Sequence, residues 1–380
     1  MITSPVFFII LIPTFILYWL IPDKYKIRQI LLVISSFVFL YIFDLSAMII
    51  TLILTIYTYS GGYFIGSRKN LNLAYWLLIG GLLICLIFFK YIGLLVPAFD
   101  SLNTFVKIFP KFELKNILLP LGISYIVLKH ISYLTDIKWG IIKKQDFIFF
   151  LTYSSFFTIF TAGPIERYEK FQPQLENRGD KFEWKYLDEG FQRIIFGLFK
   201  KFVLANWIAF FINPVLQNQN DYTFELKSLA LLGFSLQIYF DFSGYSDIAI
   251  GSSRLFGFKI MENFNFPYLK QNISQFWRSW HISLSEWIRD YIFMPLARLS
   301  TNKIWFYFFA PVISMGICGI WHGAKWGFLL WGIWHGIGLS AYQIYRKNVK
   351  KKYANSIFVN SLSVLLTFIF VTLGWYFFIN

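Results

Sequence analysis

Charge is scarce in this sequence. Only 14% of its 380 residues are Asp, Glu, Lys or Arg, against roughly 25% in a soluble domain. Cysteine is rarer still. Cys85 and Cys318 both lie in apolar runs, so neither a disulfide framework nor a redox pair is indicated. Four histidines at scattered spacings give no zinc signature. Also missing are a G-x-S-x-G elbow, a P-loop and a Rossmann fingerprint. No tandem repeat, low-complexity tract or compositional break divides the chain, which reads as a single domain over residues 1–380.

What the sequence has instead is apolar length. Hydrophobic residues make up 57% and aromatic residues 22%. The runs Phe7–Ile21, Ile30–Phe43, Ala47–Ile65, Ala74–Ile92 and Ile357–Ile379 approach or reach the ~20 residues that cross a bilayer as a helix. Helices satisfy their backbone polar groups internally and are the expected spanning form. The expectation is an all-α, multispanning integral membrane protein, with about ten membrane-embedded helices and several short or re-entrant pieces between Leu118 and His335. The first run lacks a basic leader and an A-x-A-like site and is read as a span.

A net charge of +15 invites a nucleic-acid reading, but the basic residues fall in short loops between apolar runs, where they set orientation. Lys24, Lys26 and Arg28 follow the first run, and Arg68 and Lys69 the third. Lys138, Lys143 and Lys144 form another group, and Lys347, Lys350, Lys351 and Lys352 the last. With these loops in the cytoplasm the N-terminus lies outside. Lys107, Lys111 and Lys115 do not fit this scheme. The expected partner is the lipid bilayer, with no nucleic acid.

Residues 1–97 are nearly featureless spans, whereas the apolar runs within 118–336 carry Asp, Ser, Tyr, His, Gly and Pro. Polar groups at membrane depth are costly and face a cavity or an internal partner. The first zone is therefore scaffold and the second the lining of a site.

Five stretches stand out. In LLPLGISYIVLKHISYLTDIKWG (118–140), Pro120 and Gly122 interrupt a helix, and His130, Tyr133 and Asp136 follow at helical spacing as a buried hydrogen-bonded face. FFTIFTAGPIERYEKFQPQL (156–175) reads as a re-entrant or span-ending turn, with Arg167 and Lys170 either facing an anion or serving as ordinary loop charge. In the stretch 239–268, Asp241, Ser243, Ser246 and Asp247 open an apolar run. The two carboxylates are six residues apart and share no face, which favours caps and polar struts over acid–base work. ISQFWRSWHISLSEWIRDYIFMPL (273–296) places Trp277, Trp280, Leu284, Trp287 and Ile288 on one helical stripe, the pattern of a helix at the membrane interface, with His281 and Ser285 within it. GIWHGAKWGFLLWGIWHG (319–336) holds His322, beside Lys325, and His335 among glycines that admit a backbone or a substrate closely. Neutral imidazole is a base poised near pH 7. From these residues alone, catalysis at His322 and a packing role are evenly matched.

In order, PLGISY, AGPIERY, YFDFSGYSDIAIG, FWRSWHISLSEWIRDYIF and GIWHGAKW resemble the membrane-bound O-acyltransferase (MBOAT) family, in its bacterial branch of cell-envelope polysaccharide acylation. The resemblance implies an MBOAT-type helical bundle around a tunnel where acyl donor and acceptor hydroxyl meet. It places the catalytic histidine at His322 and a second functional histidine at His281, with no such role for His335. Asp241, Ser243, Tyr245, Trp280, Ser285, Trp321 and Lys325 would line the tunnel or contact substrate. A continuous cavity bordered by Asp241, His281 and His322 is expected. The resemblance further implies no bound cofactor or metal, acetyl-CoA or an acylated carrier as donor, an exported SGNH-like acyltransferase as partner, and the bacterial inner membrane as location.

Two features depart from the alginate O-acetyltransferase group of that family. Pro295-Leu296-Ala297-Arg298 stands where a proline-leucine-glycine-glycine turn is usual, and the sequence is shorter at its end, as in the D-alanyl transfer protein of the teichoic-acid pathway. D-alanyl transfer is therefore the alternative reaction. DFSGYSDIAIG and the second Trp-His-Gly favour acetylation. A lipid or glycan transporter would be expected to show inverted repeats, which are absent here. A non-catalytic scaffold would have no need of histidines in glycine-lined surroundings.

Overall fold

The computed structural model describes every residue except Met1 and 23–25, 68–70, 107–118, 144–145, 177–180 and 349–355, with backbone alone at 93–106, 219 and 348. Lys24, Arg68, Lys69, Lys107, Lys111, Lys115, Leu118, Lys144, Lys350, Lys351 and Lys352 lie outside the described residues. Among those described there is no β-strand. The helices are α1 Pro5–Leu20, α2 Ile27–Phe43, α3 Leu45–Gly66, α4 Asn72–Val106, α5 Ile123–Lys138, α6 Phe147–Ser155, α7 Tyr168–Glu176, α8 Trp184–Leu198, α9 Asn206–Gln217, α10 Phe224–Leu255, α11 Ile273–Trp277, α12 Ile282–Ile288, α13 Met294–Ala297, α14 Ala310–His322, α15 Trp326–Asn348 and α16 Ile357–Ile379. π-helical turns at Phe199–Ala205, Arg289–Phe293 and Trp305–Phe309 run directly into α9, α13 and α14.

Among the described residues, five segments are long and apolar enough to cross a membrane: Leu45–Gly66, Asn72–Ile92, Trp184–Gln217, Trp305–His322 and Ile357–Ile379. The apolar α1 and α2 are shorter. Large apolar side chains cover the outside of these segments: Trp207, Phe210 and Phe211 are 66%, 75% and 58% exposed. Such a surface suits lipid rather than water. This is a multispanning membrane protein.

The chain forms two compact units, Met1–Tyr186 and Leu187–Asn380, the boundary falling inside α8. In the first unit, local capping starts the helices. Ser4 Oγ accepts from Phe7 N–H at the start of α1. Asp44 caps α3 through Ala47 N–H (3.0 Å) and also accepts from Leu121 N–H (2.9 Å), so one carboxylate ties two elements. α5 begins after Gly122, at φ 71°, as the interruption in the sequence suggests. His130 is fully buried, its two nitrogens engaged by the Thr58 hydroxyl (2.9 Å) and the Ser154 hydroxyl (3.0 Å). It is a strut between α3, α5 and α6. The 156–167 stretch is a non-helical, almost wholly buried connection. Glu166 and Arg167 are 1% and 4% exposed, so of the two readings left open for Arg167 the ordinary solvated loop charge does not hold. Lys170 is exposed.

In the second unit, two of the three π turns have a proline as their cause. Pro295 and Pro311 lie just after Arg289–Phe293 and Trp305–Phe309. A proline lacks the N–H that would close the preceding turn and its ring crowds the carbonyl four residues back, so the turn widens. The glycines of 319–336 allow backbones to touch: a Cβ on Gly319 would strike the Phe328 carbonyl, and one on Gly332 the Met315 carbonyl. α14 and α15 thus form a hairpin in close backbone contact.

The seam between α8 with its π-helical continuation and α10 is built the same way. A Cβ on Gly197 would lie 2.6 Å from the Gly244 carbonyl, and one on Gly251 would lie 2.7 Å from the Gly190 carbonyl. Small residues are the means by which membrane helices pack backbone to backbone. Charges flank the seam in pairs. Arg193 Nε donates to Asp247 (2.7 Å), Lys200 Nζ donates to Asp247 (2.6 Å), and Lys201 pairs with Asp241. The two aspartates therefore sit in the interior of α10 as polar struts, not as caps.

Gly244→Ala is expected to destabilise the protein by about 1–2 kcal/mol, because the opposing atoms are backbone and cannot step aside, which outweighs the gain in helix propensity. Gly80, with nothing within 4 Å of its would-be Cβ, is the control; Gly80→Ala should be neutral or stabilising. Thermal midpoints of the two variants in detergent test this, and equal midpoints would show that the seam opens without cost.

Candidate active site

His281 occupies the corner between α11 and α12, at φ 42° and ψ 55°. A left-handed conformation costs a non-glycine residue on the order of 1–3 kcal/mol and persists only where surrounding structure imposes it. Its ring is 2% exposed and receives the edge of Phe242 at 4.7 Å between centroids. His322 is the last residue of α14 and is half-buried. Its ring touches Trp321 (4.9 Å), Trp331 (5.1 Å), Phe378 (5.3 Å) and Phe328 (6.3 Å). The two imidazoles lie within electrostatic reach of each other. A run of rings connects their surroundings: Phe242 to Phe264 (5.2 Å), Phe264 to Trp280 (5.1 Å), Trp280 to Trp375 (5.2 Å) and Trp375 to Trp331 (5.8 Å, stacked).

His335 has a different setting. It is fully buried, stacked on Phe276 at 6.2 Å, and edged by Trp277, Trp331 and Phe370 at 5.2, 5.1 and 5.8 Å. Neither of its nitrogens has a hydrogen-bond partner among the described residues. It behaves as one more ring of the aromatic core, one helical turn after Trp331.

The remaining candidates divide into two groups. Trp280 is buried in the ring run, Trp321 is half-buried against His322, and Ser285 donates to the Trp280 carbonyl at 2.9 Å. Ser243 is buried, with no hydrogen-bond partner for its hydroxyl among the described residues, and is adjacent in sequence to Phe242; Tyr245 is half-buried. Asp241, by contrast, is taken up by Lys201 on the seam, and Lys325 is exposed in the turn between α14 and α15.

A cavity of about 440 Å³ opens between the two histidine-bearing regions. Trp277, Ile282 and Ser285 reach it from around the His281 corner, and Cys318, one turn before His322, reaches it from α14. Arg278, Glu286 and Arg289 give it charge. His281, His322 and Asp241 are not themselves among its lining residues; chain neighbours of the two histidines border this cavity, and none of Asp241 does. Among the described residues no group of three or more His, Cys, Asp or Glu could hold a metal ion.

The 273–296 stretch departs most from its sequence pattern. It breaks into two short helices at His281, and Trp277, Trp280, Leu284, Trp287 and Ile288 are all at most 7% exposed. The stripe is core, not an interfacial belt, since lipid headgroups and a protein interior select the same apolar spacing. Residues not singled out from the sequence complete the site: Phe242, Trp331, Trp375 and Phe378 supply its rings, and the Asn263 carbonyl accepts from Ile282 N–H at 2.9 Å to hold the corner.

The membrane-bound O-acyltransferase family model matches residues 113–379, and the chain belongs to that family. It is a membrane-bound acyltransferase. Among its relatives, the protein named "Probable alginate O-acetylase AlgI" of Pseudomonas aeruginosa is 35% identical, the match covering 98% of this chain and 71% of the relative. A peptidoglycan O-acetyltransferase of Helicobacter pylori is 31% identical over 82% of this chain and 63% of the relative. A teichoic acid D-alanyltransferase of Bacillus subtilis is 33% identical, covering 69% of each.

Proposed function

We propose that this chain transfers an acetyl group from a cytoplasmic thioester, acetyl-CoA or an acylated carrier, to a hydroxyl destined for a cell-envelope polysaccharide, from the bacterial inner membrane. The observation that carries the reading is the pairing of His281 and His322 in one ring-walled region beside a cavity, in a chain 35% identical to a probable alginate O-acetylase over 98% of its length. His322 takes the proton of the attacking hydroxyl as its oxygen bonds to the thioester carbonyl carbon. Collapse of the tetrahedral intermediate breaks the carbon–sulfur bond, and the thiolate leaves and is protonated. His281, held by the corner, orients the reacting groups. The accepting hydroxyl belongs to the glycan or to an exported SGNH-like acyltransferase that completes delivery.

Similarity to a teichoic acid D-alanyltransferase over 69% of this chain favours one second reading, D-alanyl transfer from a carrier protein. Membranes supplied with labelled acetyl-CoA or a labelled D-alanyl carrier separate the two. Label entering the envelope fraction from the D-alanyl carrier alone would overturn acetylation. In the same assay His281→Ala is expected to lose about 10–100-fold, less than removal of a general base. Full activity in His281→Ala would remove His281 from the mechanism.

A further inference from the structure

We infer that Asn263 is the positioning residue of His281, an inference that rests on the acyl-transfer reading of that histidine. Asn263 is fully buried in the connection between α10 and α11. Its backbone carbonyl accepts from Ile282 N–H at 2.9 Å. Its side-chain Oδ1 accepts from both Ser283 N–H (3.2 Å) and Ser283 Oγ (2.8 Å), and its Nδ2 donates to Ser246 Oγ at 3.2 Å. Because a backbone N–H can only donate, the atom facing Ser283 must be the oxygen, which fixes the orientation of the amide.

These bonds meet the two residues immediately after His281 and one turn of α10. Ser246 lies four residues after Phe242, whose ring edge rests on the His281 imidazole. On the other side of the corner, Asn265 N–H donates to the Ser279 carbonyl at 2.9 Å. The connection therefore grips the chain on both sides of His281 and ties it to the helix that supplies its ring contact.

The grip matters because His281 has φ 42°. A non-glycine residue left to itself relaxes out of the left-handed region, and that relaxation would swing its Cα–Cβ bond and carry the imidazole away. Asn263 prevents it by fixing the following two residues. The work needs a side chain with acceptor and donor in one plane. Leucine has the shape and neither function. Aspartate keeps the acceptor for Ser283, and its second oxygen can accept from the Ser246 hydroxyl in place of the amide bond.

The full-length protein in membranes tests this by initial rates of acyl transfer at matched abundance. Asn263→Leu should lower kcat about tenfold or more with KM changed less than about twofold, and Asn263→Asp should recover to within about threefold of the parent. In a His281→Ala background, Asn263→Leu should cost nothing further, since the residue it positions is gone. If Asn263→Leu fails to accumulate, Ser283→Ala removes one hydroxyl, leaves the backbone bonds, and should show a smaller loss with the same non-additivity.

A second readout does not depend on activity. With all four histidines labelled with ¹⁵N, the imidazole signal lost in His281→Ala should be the one that Asn263→Leu shifts. Equal losses with and without His281, or an unshifted His281 signal, would overturn the inference. If the parent protein moves neither acyl group, the acyl-transfer reading fails, and the imidazole spectrum still decides whether Asn263 holds His281.

Discussion

Replacing His322 with alanine is expected to lower acyl transfer by about 10²–10⁴-fold while leaving the protein folded and inserted, the usual contribution of a general base and equivalent to roughly 3–5 kcal/mol of transition-state stabilisation. Half-burial is what makes the position suitable: the ring is gripped by four aromatic neighbours yet remains open on part of its surface. His335 shares the Trp-His-Gly sequence and has no such opening. Loss of its ring should disturb packing against Phe276, Trp277, Trp331 and Phe370 and lower the amount of protein, with a much smaller effect on the rate of each folded molecule. His335→Phe, which keeps a ring in the cage, should retain more activity than His335→Ala. Acetyl incorporation into envelope glycan at matched membrane abundance measures all three. Near-normal incorporation by His322→Ala, or a larger loss at His335, would show that the histidines have been assigned the wrong way round.

Asp247→Leu is expected to destabilise the protein by about 2–3 kcal/mol, as removal of the carboxylate leaves a half-buried opposite charge uncompensated. The Asp247 side chain is 7% exposed and answers two cations, Arg193 and Lys200. Arg193 retains Glu262, to which it also donates at 2.9 Å, so the orphaned group is Lys200. The double replacement Asp247→Leu with Lys200→Leu should therefore recover most of the loss, since an apolar pair of similar volume can substitute for a buried ion pair. The fraction of protein that stays soluble in detergent after heating reads out both variants. An Asp247→Leu variant as heat-resistant as the parent would mean that water already reaches these charges.

The sequence made the plain spans legible almost to the residue: Ile357–Ile379 is α16, and Phe7–Ile21 is α1 displaced by one or two positions. Trp184–Gln217 was not legible, because Arg193, Lys200 and Lys201 interrupt its apolar run and their carboxylate partners lie 40 to 69 positions away. A charge in a span looks like a loop until its partner is seen. The site shows the same division. Motif likeness pointed to His281 and His322, which the fold brings within reach of each other. The left-handed corner at His281 could not be read from its neighbours, since bonds from Asn263, eighteen positions earlier, hold it. Asp241 drew notice as one of two carboxylates in an apolar run, and its pairing with Lys201 on the seam shows it acting as a strut.

The π-helical segment Phe199–Ala205 sets a constraint of another kind. A π turn holds about one residue more than an α turn, so everything beyond it is rotated by roughly 100° relative to an unbroken α-helix. That extra residue lets Lys200 and Lys201, neighbours in the chain, both reach α10. It also sets the direction in which Trp207, Phe210 and Phe211 face outward. The segment therefore counts residues more strictly than it reads them. Many substitutions could be absorbed there, but deletion of any single position would rewind the turn to α and rotate the aromatic face of α9 out of phase with the lipid, unpairing the lysines at the same time.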